Sequence, residues 1–188
     1  MVATQRRRTL ETVDPVWRGI RAEAEAMVEH DPLLAALAHS VVLRHDAFED
    51  ALSFRFAQKI GAADFPEMVA RELADEAFAD DPDIGAAARA DIEAVYERDP
   101  ACDRRIQPML FFKGFQAVTA QRVGNWLWRK GRRDAALYIQ MRVSEMFSVD
   151  IHPAARIGRG IMIDHAHAIV IGETATVGDD VSMLHGVT

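Results

Sequence analysis

The sequence has a single cysteine, Cys102, among its 188 residues. An intrachain disulfide is therefore impossible, and we expect the protein to work in the reducing cytoplasm. No apolar run approaches the ~20 residues that a membrane helix needs, and the first residues, MVATQRRRTL, lack the apolar stretch of a secretory signal. These absences predict a protein without a membrane partner.

Positive charge is also scarce. Lys and Arg number 22 against 29 Asp and Glu, which gives a formal net charge of −7. A nucleic-acid partner usually needs a basic face, so we expect none. The basic cluster Arg6–Arg8 is short, and we interpret it as a solvated tail. A hydrophobic content of 49% and a charged content of 27% are typical of a globular protein that buries a core.

Residues 1–148 have the pattern of an α-helical domain. Three Asp-Pro steps, at Asp14, Asp31 and Asp81, place a capping side chain before a proline that suits the first helical position. The segment 108–130 is apolar on nearly every side, which predicts one largely buried helix or a subunit contact. Apolar spacing predicts further helices over residues 47–60, 65–78, 84–97 and 134–146.

From residue 149 onward a different period takes over. A period of six fits neither a helix nor an alternating strand, and it indicates a hexapeptide-repeat parallel β-helix with roughly three repeats per coil. We expect one apolar series to point inward and to stack on its counterparts in the next coil. We place the β-helix at 149–188, joined directly to the helical domain. The series at six-residue spacing is Ile151, Ile157, Ile163, Ile169, Ala175, Val181 and Val187.

A histidine inside the repeat, His165, lies 15 residues after Asp150. An imidazole titrates near pH 6.5 and can take a proton from a hydroxyl group as that group attacks. A carboxylate on the other ring nitrogen fixes the tautomer and stabilises the imidazolium that forms. A separation of 15 residues brings the chain to a neighbouring level of the β-helix, so a pairing of Asp150 with His165 is geometrically plausible. The same spacing also allows a corner or interface role for His165.

Three further histidines follow the helical domain: His152, His167 and His185. Four histidines in a short stretch raise a metal hypothesis, but their spacing matches no recognised metal signature, so we predict no metal site. We expect His152 and His167 on a surface or interface, and His185 beside a substrate channel. Asp99 precedes Pro100, which is typical of a cap or turn and is compatible with a substrate contact.

Several segments together resemble the serine O-acetyltransferase family. The resemblance extends from about Val16 to Thr188, and it is specific because the helical domain separates this family from sugar and antibiotic acetyltransferases on the same β-helix. The matching segments are DPA at 99–101, KGFQAV at 113–118, NWLW at 125–128, DIHPAARIGRGIMIDH at 150–165 and IVIGETA at 169–175.

The resemblance implies an α+β fold, an α-helical N-terminal domain followed by a left-handed parallel β-helix. It implies transfer of acetyl from acetyl-CoA to the L-serine hydroxyl in cysteine biosynthesis, with no permanently bound cofactor. His165 matches the catalytic base of the family and Asp150 its orienting carboxylate, while Asp99 and Asp164 match carboxylates that contact serine. Family members form β-helix trimers, paired into hexamers through their helical domains, with active sites between neighbouring β-helices.

The family continues past Thr188 with further coils, a loop that contacts substrate and a flexible tail. We therefore expect a fragment whose β-helix is truncated and whose CoA contacts lie mostly beyond Thr188, so no CoA-binding residues are assigned. Whether this fragment is active by itself stays open. The complex with O-acetylserine sulfhydrylase, which uses that tail, is not expected here.

Two other classes of function stay open. One is an oligomerisation module without turnover. The other is a different hexapeptide enzyme, either an acyltransferase for another alcohol such as homoserine or a γ-type carbonic anhydrase, which would bind zinc. The matched Asp99 and Asp164 favour an amino-acid acceptor.

Overall fold

The structure, a computed structural model, describes residues 14–188, so the basic cluster Arg6–Arg8 lies outside the described residues. A 3-10 turn at Pro32–Leu34 and a π turn at His39–Leu43 flank the short helix Ala35–Ala38. No helix within 14–188 combines the length and the apolar character that crossing a membrane would need. The α-helices described are α1 Pro15–His30, α2 Ala35–Ala38, α3 Phe48–Ile60, α4 Glu67–Asp80, α5 Pro82–Arg98, α6 Ile106–Phe111, α7 Lys113–Arg129 and α8 Arg133–Phe147.

The predicted helix caps are confirmed at the Asp-Pro steps. The Asp14 carboxylate accepts a hydrogen bond from the Trp17 amide at 3.0 Å. The Asp81 carboxylate accepts one from the Asp83 amide at the start of α5. Asp31 also accepts from a backbone amide two residues on. The chain after Asp31, however, forms short 3-10, α and π turns instead of one continuous helix.

After α8 the chain forms two coils of a parallel β-helix. Each of the three strands of the first coil pairs with one strand of the second, in three parallel two-stranded sheets. The predicted fold class, helices followed by hexapeptide-repeat β-helix, is confirmed. The strands are β1 Val149–Ile151, β2 Arg156–Ile157, β3 Met162–Ile163, β4 Ile169–Ile171, β5 Thr176–Val177 and β6 Ser182–Met183.

The predicted stacking of the six-residue series is wrong, because one coil contains 20 residues instead of three hexapeptides. Ile151 lies opposite Ile171, whereas Ile169 lies opposite Val149. The two additional residues fall in the corner between β3 and β4, residues 164–168. The other inward pairs are Ile157 with Val177 and Ile163 with Met183.

Helix α7 also differs from its prediction. The expected single helix over 108–130 is two helices, because Phe112 has an extended backbone with φ −94° and ψ 108°. The break lets the start of α7 lie directly on β3. A Cβ atom on Gly114 would be only 2.1 Å from the Ile163 carbonyl oxygen, so only glycine fits this close approach.

Side-chain amides of α7 hydrogen-bond the turn that follows β1. The Gln121 Nε2 donates to the Ala155 carbonyl at 3.1 Å, and the Asn125 Nδ2 donates to the Pro153 carbonyl at 2.7 Å. The end coil of a solenoid carries backbone groups that no neighbouring coil pairs, and these groups need other partners. The helical domain therefore caps the first coil.

A buried ion pair lies at the centre of this cap. Asp91 of α5 and Arg122 of α7 form a two-point ion pair, and their side chains are only 1% and 8% exposed. Arg122 also donates to the Gly158 carbonyl at 2.7 Å, and Asp91 accepts from the Ile161 amide at 2.8 Å. Burial raises the pKa of the Asp91 carboxyl above its ordinary value, an effect that the Arg122 guanidinium opposes.

A second contact ties the C-terminal end of α5 to both coils. The Arg98 guanidinium donates to the Gly160 carbonyl of the first coil at 3.1 Å. It also donates to the Asp180 carboxylate of the second coil at 3.0 Å. Helix and solenoid are thus joined at several points along one interface.

Replacement of the buried acid tests how much this interface contributes to stability. Asp91→Asn leaves Arg122 buried and uncompensated, and we expect it to lower the free energy of unfolding by about 3–5 kcal/mol in urea titrations. The matched control is Asp75→Asn, which removes an exposed ion pair with Arg71 and should cost less than about 1 kcal/mol. Equal losses for the two variants would contradict this role for Asp91.

Candidate functional site

His165 lies at the corner between β3 and β4, where the two additional residues of the coil fall. Its backbone φ is +59°, and Ala166 and Ala168 are also left-handed, at +45° and +54°. The Ala166 amide donates to the Asp164 carbonyl at 2.7 Å, which closes a tight turn around His165. Positive φ at three non-glycine residues is costly, and such strain is concentrated at functional sites.

The corner brings together two predicted site residues, Asp164 and His165. The His165 Nε2 lies 3.3 Å from the Asp164 Oδ2. The imidazole is 68% exposed and the carboxylate is 31% exposed, so both can be reached by a small molecule. In such a pair the imidazole nitrogen can accept a proton, and the carboxylate can bind a cation.

The 20-residue coil places His185 one level beyond His165. Their rings pack edge to face with centroids 5.9 Å apart. His152 lies elsewhere, its ring 5.0 Å from that of Trp128. Within residues 14–188 no group of three or more His, Cys, Asp or Glu side chains could hold a metal ion.

Asp150 lies in the middle of β1, opposite Val170 of β4, and is half-buried. Its Oδ1 accepts a hydrogen bond from the Gln140 Nε2 of α8 at 2.6 Å. Across the described residues no hydrogen bond joins Asp150 to His165, so the predicted pairing of these two residues stays a prediction.

Asp99 directly follows α5 as its C-terminal cap residue. Its Oδ1 accepts from the Ala101 amide at 2.9 Å, which is the turn geometry that an Asp-Pro sequence favours. Because α5 contacts β3 and Asp164 directly follows β3, Asp99 and Asp164 both lie near the junction of the helical domain with the β-helix.

Sequence reasoning missed Gln140, Asp91 and Arg122. A signal existed for Asp91, which falls on the same helix face as the buried Ala88 and Val95. A charged residue on an apolar face requires a buried partner. Gln140 gave no comparable signal, because a half-buried polar residue is ordinary on a helix.

These features define a class: proteins with a helical N-terminal domain that caps a hexapeptide-repeat β-helix with an exposed histidine corner. Residues 16–120 match the family model described as "Serine acetyltransferase, N-terminal". The chain belongs to the serine acetyltransferase family.

Relatives agree over nearly the whole chain. The serine acetyltransferase of Salmonella typhimurium is 49% identical over 178 residues, which cover 95% of this chain and 65% of that protein. The Brucella abortus serine acetyltransferase in complex with coenzyme A has a TM-score of 0.91 at 44% identity, covering 94% of this chain and 71% of that one. A soybean serine acetyltransferase complexed with serine has a TM-score of 0.89 at 44% identity, covering 91% and 70%.

The strained corner generates a stability prediction. Ala168 is exposed and left-handed, so Ala168→Gly relieves backbone strain and should raise the free energy of unfolding by about 0.5–1 kcal/mol in urea titrations. The control is Ala154→Gly in the turn after β1, where φ is not positive; it should leave stability unchanged or lower it. A loss of stability in Ala168→Gly would contradict the strain.

Proposed function

We propose that the protein is a serine O-acetyltransferase, which transfers acetyl from acetyl-CoA to the L-serine hydroxyl and so serves L-cysteine biosynthesis. The observation that carries the proposal is the exposed corner where His165 Nε2 lies 3.3 Å from Asp164. Membership of the family supports it, since relatives of this fold have been solved with coenzyme A and with serine.

In the proposed reaction His165 is the general base. Its neutral imidazole takes the hydroxyl proton of serine as the oxygen attacks the thioester carbonyl. When the tetrahedral intermediate collapses, the carbon–sulfur bond breaks and the imidazolium returns the proton to the departing CoA sulfur. The acetyl group passes directly, so Cys102 has no role; burial raises the pKa of its thiol, which disfavours a nucleophilic thiolate.

Asp164 and Asp99 are the proposed partners of the serine ammonium group. The ammonium and hydroxyl groups of serine are separated by two carbon atoms. An ammonium held at Asp164 therefore brings the hydroxyl beside the neighbouring His165 Nε2. A charge-assisted pair of this kind is stronger than a neutral hydrogen bond, which favours an amino-acid acceptor over an uncharged alcohol.

Asp150 is the proposed orienting carboxylate for His165. The corner that bears His165 leads into β4, which pairs with the β1 strand that carries Asp150. Gln140 occupies one oxygen of Asp150, which leaves the other for an imidazole. Catalytic hydrogen bonds are often long or poorly aligned in unliganded enzymes and tighten when substrate binds. The lack of a described hydrogen bond between Asp150 and His165 is consistent with this behaviour.

We further infer a cytoplasmic homo-oligomer, with β-helices joined as trimers and trimers paired into hexamers. The support is a set of exposed apolar side chains on the two elements that contact β1: Leu137 and Met141 of α8, and Val170 of β4, are 43%, 51% and 46% exposed. Exposed apolar side chains on adjoining elements suit a protein contact. Acetyl-CoA is the proposed co-substrate, with no permanently bound cofactor.

The test is thiol release from acetyl-CoA with and without L-serine, measured on this chain and on one extended beyond Thr188. We expect serine-dependent release that His165→Ala lowers by about 10²–10⁴-fold, because the base is lost. His167→Ala, an exposed neighbour at the same corner, is the control and should retain activity.

Three results would contradict the proposal. Faster turnover with homoserine than with serine would indicate another acceptor. Stoichiometric zinc in the purified protein would favour an anhydrase. A stable oligomer without turnover, both in this chain and in one extended beyond Thr188, would indicate an assembly module.

A further inference from the structure

We propose that Gln140 is a positioning residue, which holds the Asp150 carboxylate in the orientation from which it serves His165. This inference rests on the proposed function, because the role of Asp150 belongs to that function. Its own basis is the hydrogen bond from Gln140 Nε2 to Asp150 Oδ1, 2.6 Å long, between the last helix and the first strand.

The chain path brings the two residues together. Helix α8 ends at Phe147, and Ser148 has a left-handed backbone with φ +57°. The chain reverses there, and β1 packs against α8. Asp150 thus returns beside a helix residue ten positions earlier in the sequence, although no local pattern links the two.

The Gln140 side chain is itself confined. Its neighbours on α8, Ile139 and Val143, are buried in the core, which fixes the rotation of the helix. Gln140 also borders a small cavity together with Ile151 and Pro153 of the first coil. An amide held between a core-packed helix and a strand can fix one carboxylate rotamer of its partner.

The chemistry of a glutamine amide suits this task. An amide N–H donates a hydrogen bond but carries no charge, so Asp150 keeps its negative charge for the imidazolium that forms on His165. Asp91 differs from Asp150 in this respect, because its charge is paired with that of Arg122. Within residues 14–188 no Lys or Arg forms an ion pair with Asp150, and its described hydrogen bond comes from a neutral donor.

The experiment compares Gln140→Leu, which removes the donor, with Gln58→Leu as a matched control. Gln58 is a half-buried glutamine of α3 whose Oε1 accepts one described hydrogen bond, from the Arg55 guanidinium. We expect Gln140→Leu to lower kcat on the order of tenfold with the serine KM within twofold, because proton transfer and not binding is affected. Gln58→Leu should change neither quantity by more than about twofold.

Two further variants separate positioning from a structural role. In an Asp150→Asn background, Gln140→Leu should change kcat by less than about twofold, because residues that act as one unit are not additive. Gln140→Glu should lose more activity than Gln140→Leu at pH 8, since a second carboxylate then faces Asp150. Its activity relative to the unsubstituted chain should rise toward pH 6, where a shared proton restores a donor.

A measurement without turnover keeps this inference distinguishable from the proposed function. Imidazole nitrogen NMR shifts, recorded with L-serine bound and without acetyl-CoA, report the tautomer of His165. We expect Gln140→Leu to change the tautomer ratio while Gln58→Leu leaves it unchanged. An unchanged ratio would overturn the inference, as would full kcat in Gln140→Leu or additive losses in the double variant. Absence of serine-dependent thiol release both from the unsubstituted chain and from one extended beyond Thr188 would refute the proposed function alone.

Discussion

The ion pair between Asp91 and Arg122 lies where two helices meet the first turn of a solenoid. Buried charges cost several kcal/mol of desolvation, which their attraction offsets only when the remaining hydrogen-bonding groups are also satisfied. That condition is met here, because Asp91 accepts a hydrogen bond from the Ile161 amide and Arg122 donates one to the Gly158 carbonyl. Neither half of the chain can satisfy these groups alone, so the helical domain and the β-helix depend on each other.

The same interface sets the positions of the candidate site residues. Gly114 of α7 lies against Ile163, and the next residue of the β-helix is Asp164. Arg98 joins α5 to both coils, and the next residue of the helical domain is Asp99. Each proposed serine contact therefore directly follows a residue that is anchored by the cap. A site built between rigid elements in this way holds its geometry better than one built on loops.

Much of this architecture was predictable from local chemistry. The Asp-Pro steps at Asp14 and Asp81 cap the starts of α1 and α5, as their chemistry predicts. A six-residue period has few explanations other than a β-helix. Residue spacing alone could not predict which residues of the two coils stack on each other. Ile169 continues the six-residue spacing, although the corner before it holds two additional residues. Physical strain marks that corner, since His165 has a left-handed backbone there. The break at Phe112 and the bond from Gln140 to Asp150 depend on tertiary contacts, which no local pattern contains.

The helical cap stabilises the first coil through Arg122, and hydrogen–deuterium exchange resolved by segment can measure this stabilisation in both domains at once. In the unsubstituted chain, amides of residues 149–163, including Ile161, should be protected as strongly as those of α7. Arg122→Met should remove protection from both segments together, while α3 keeps its own, because local opening follows cooperative units. A first coil that keeps its protection in Arg122→Met would contradict the claim.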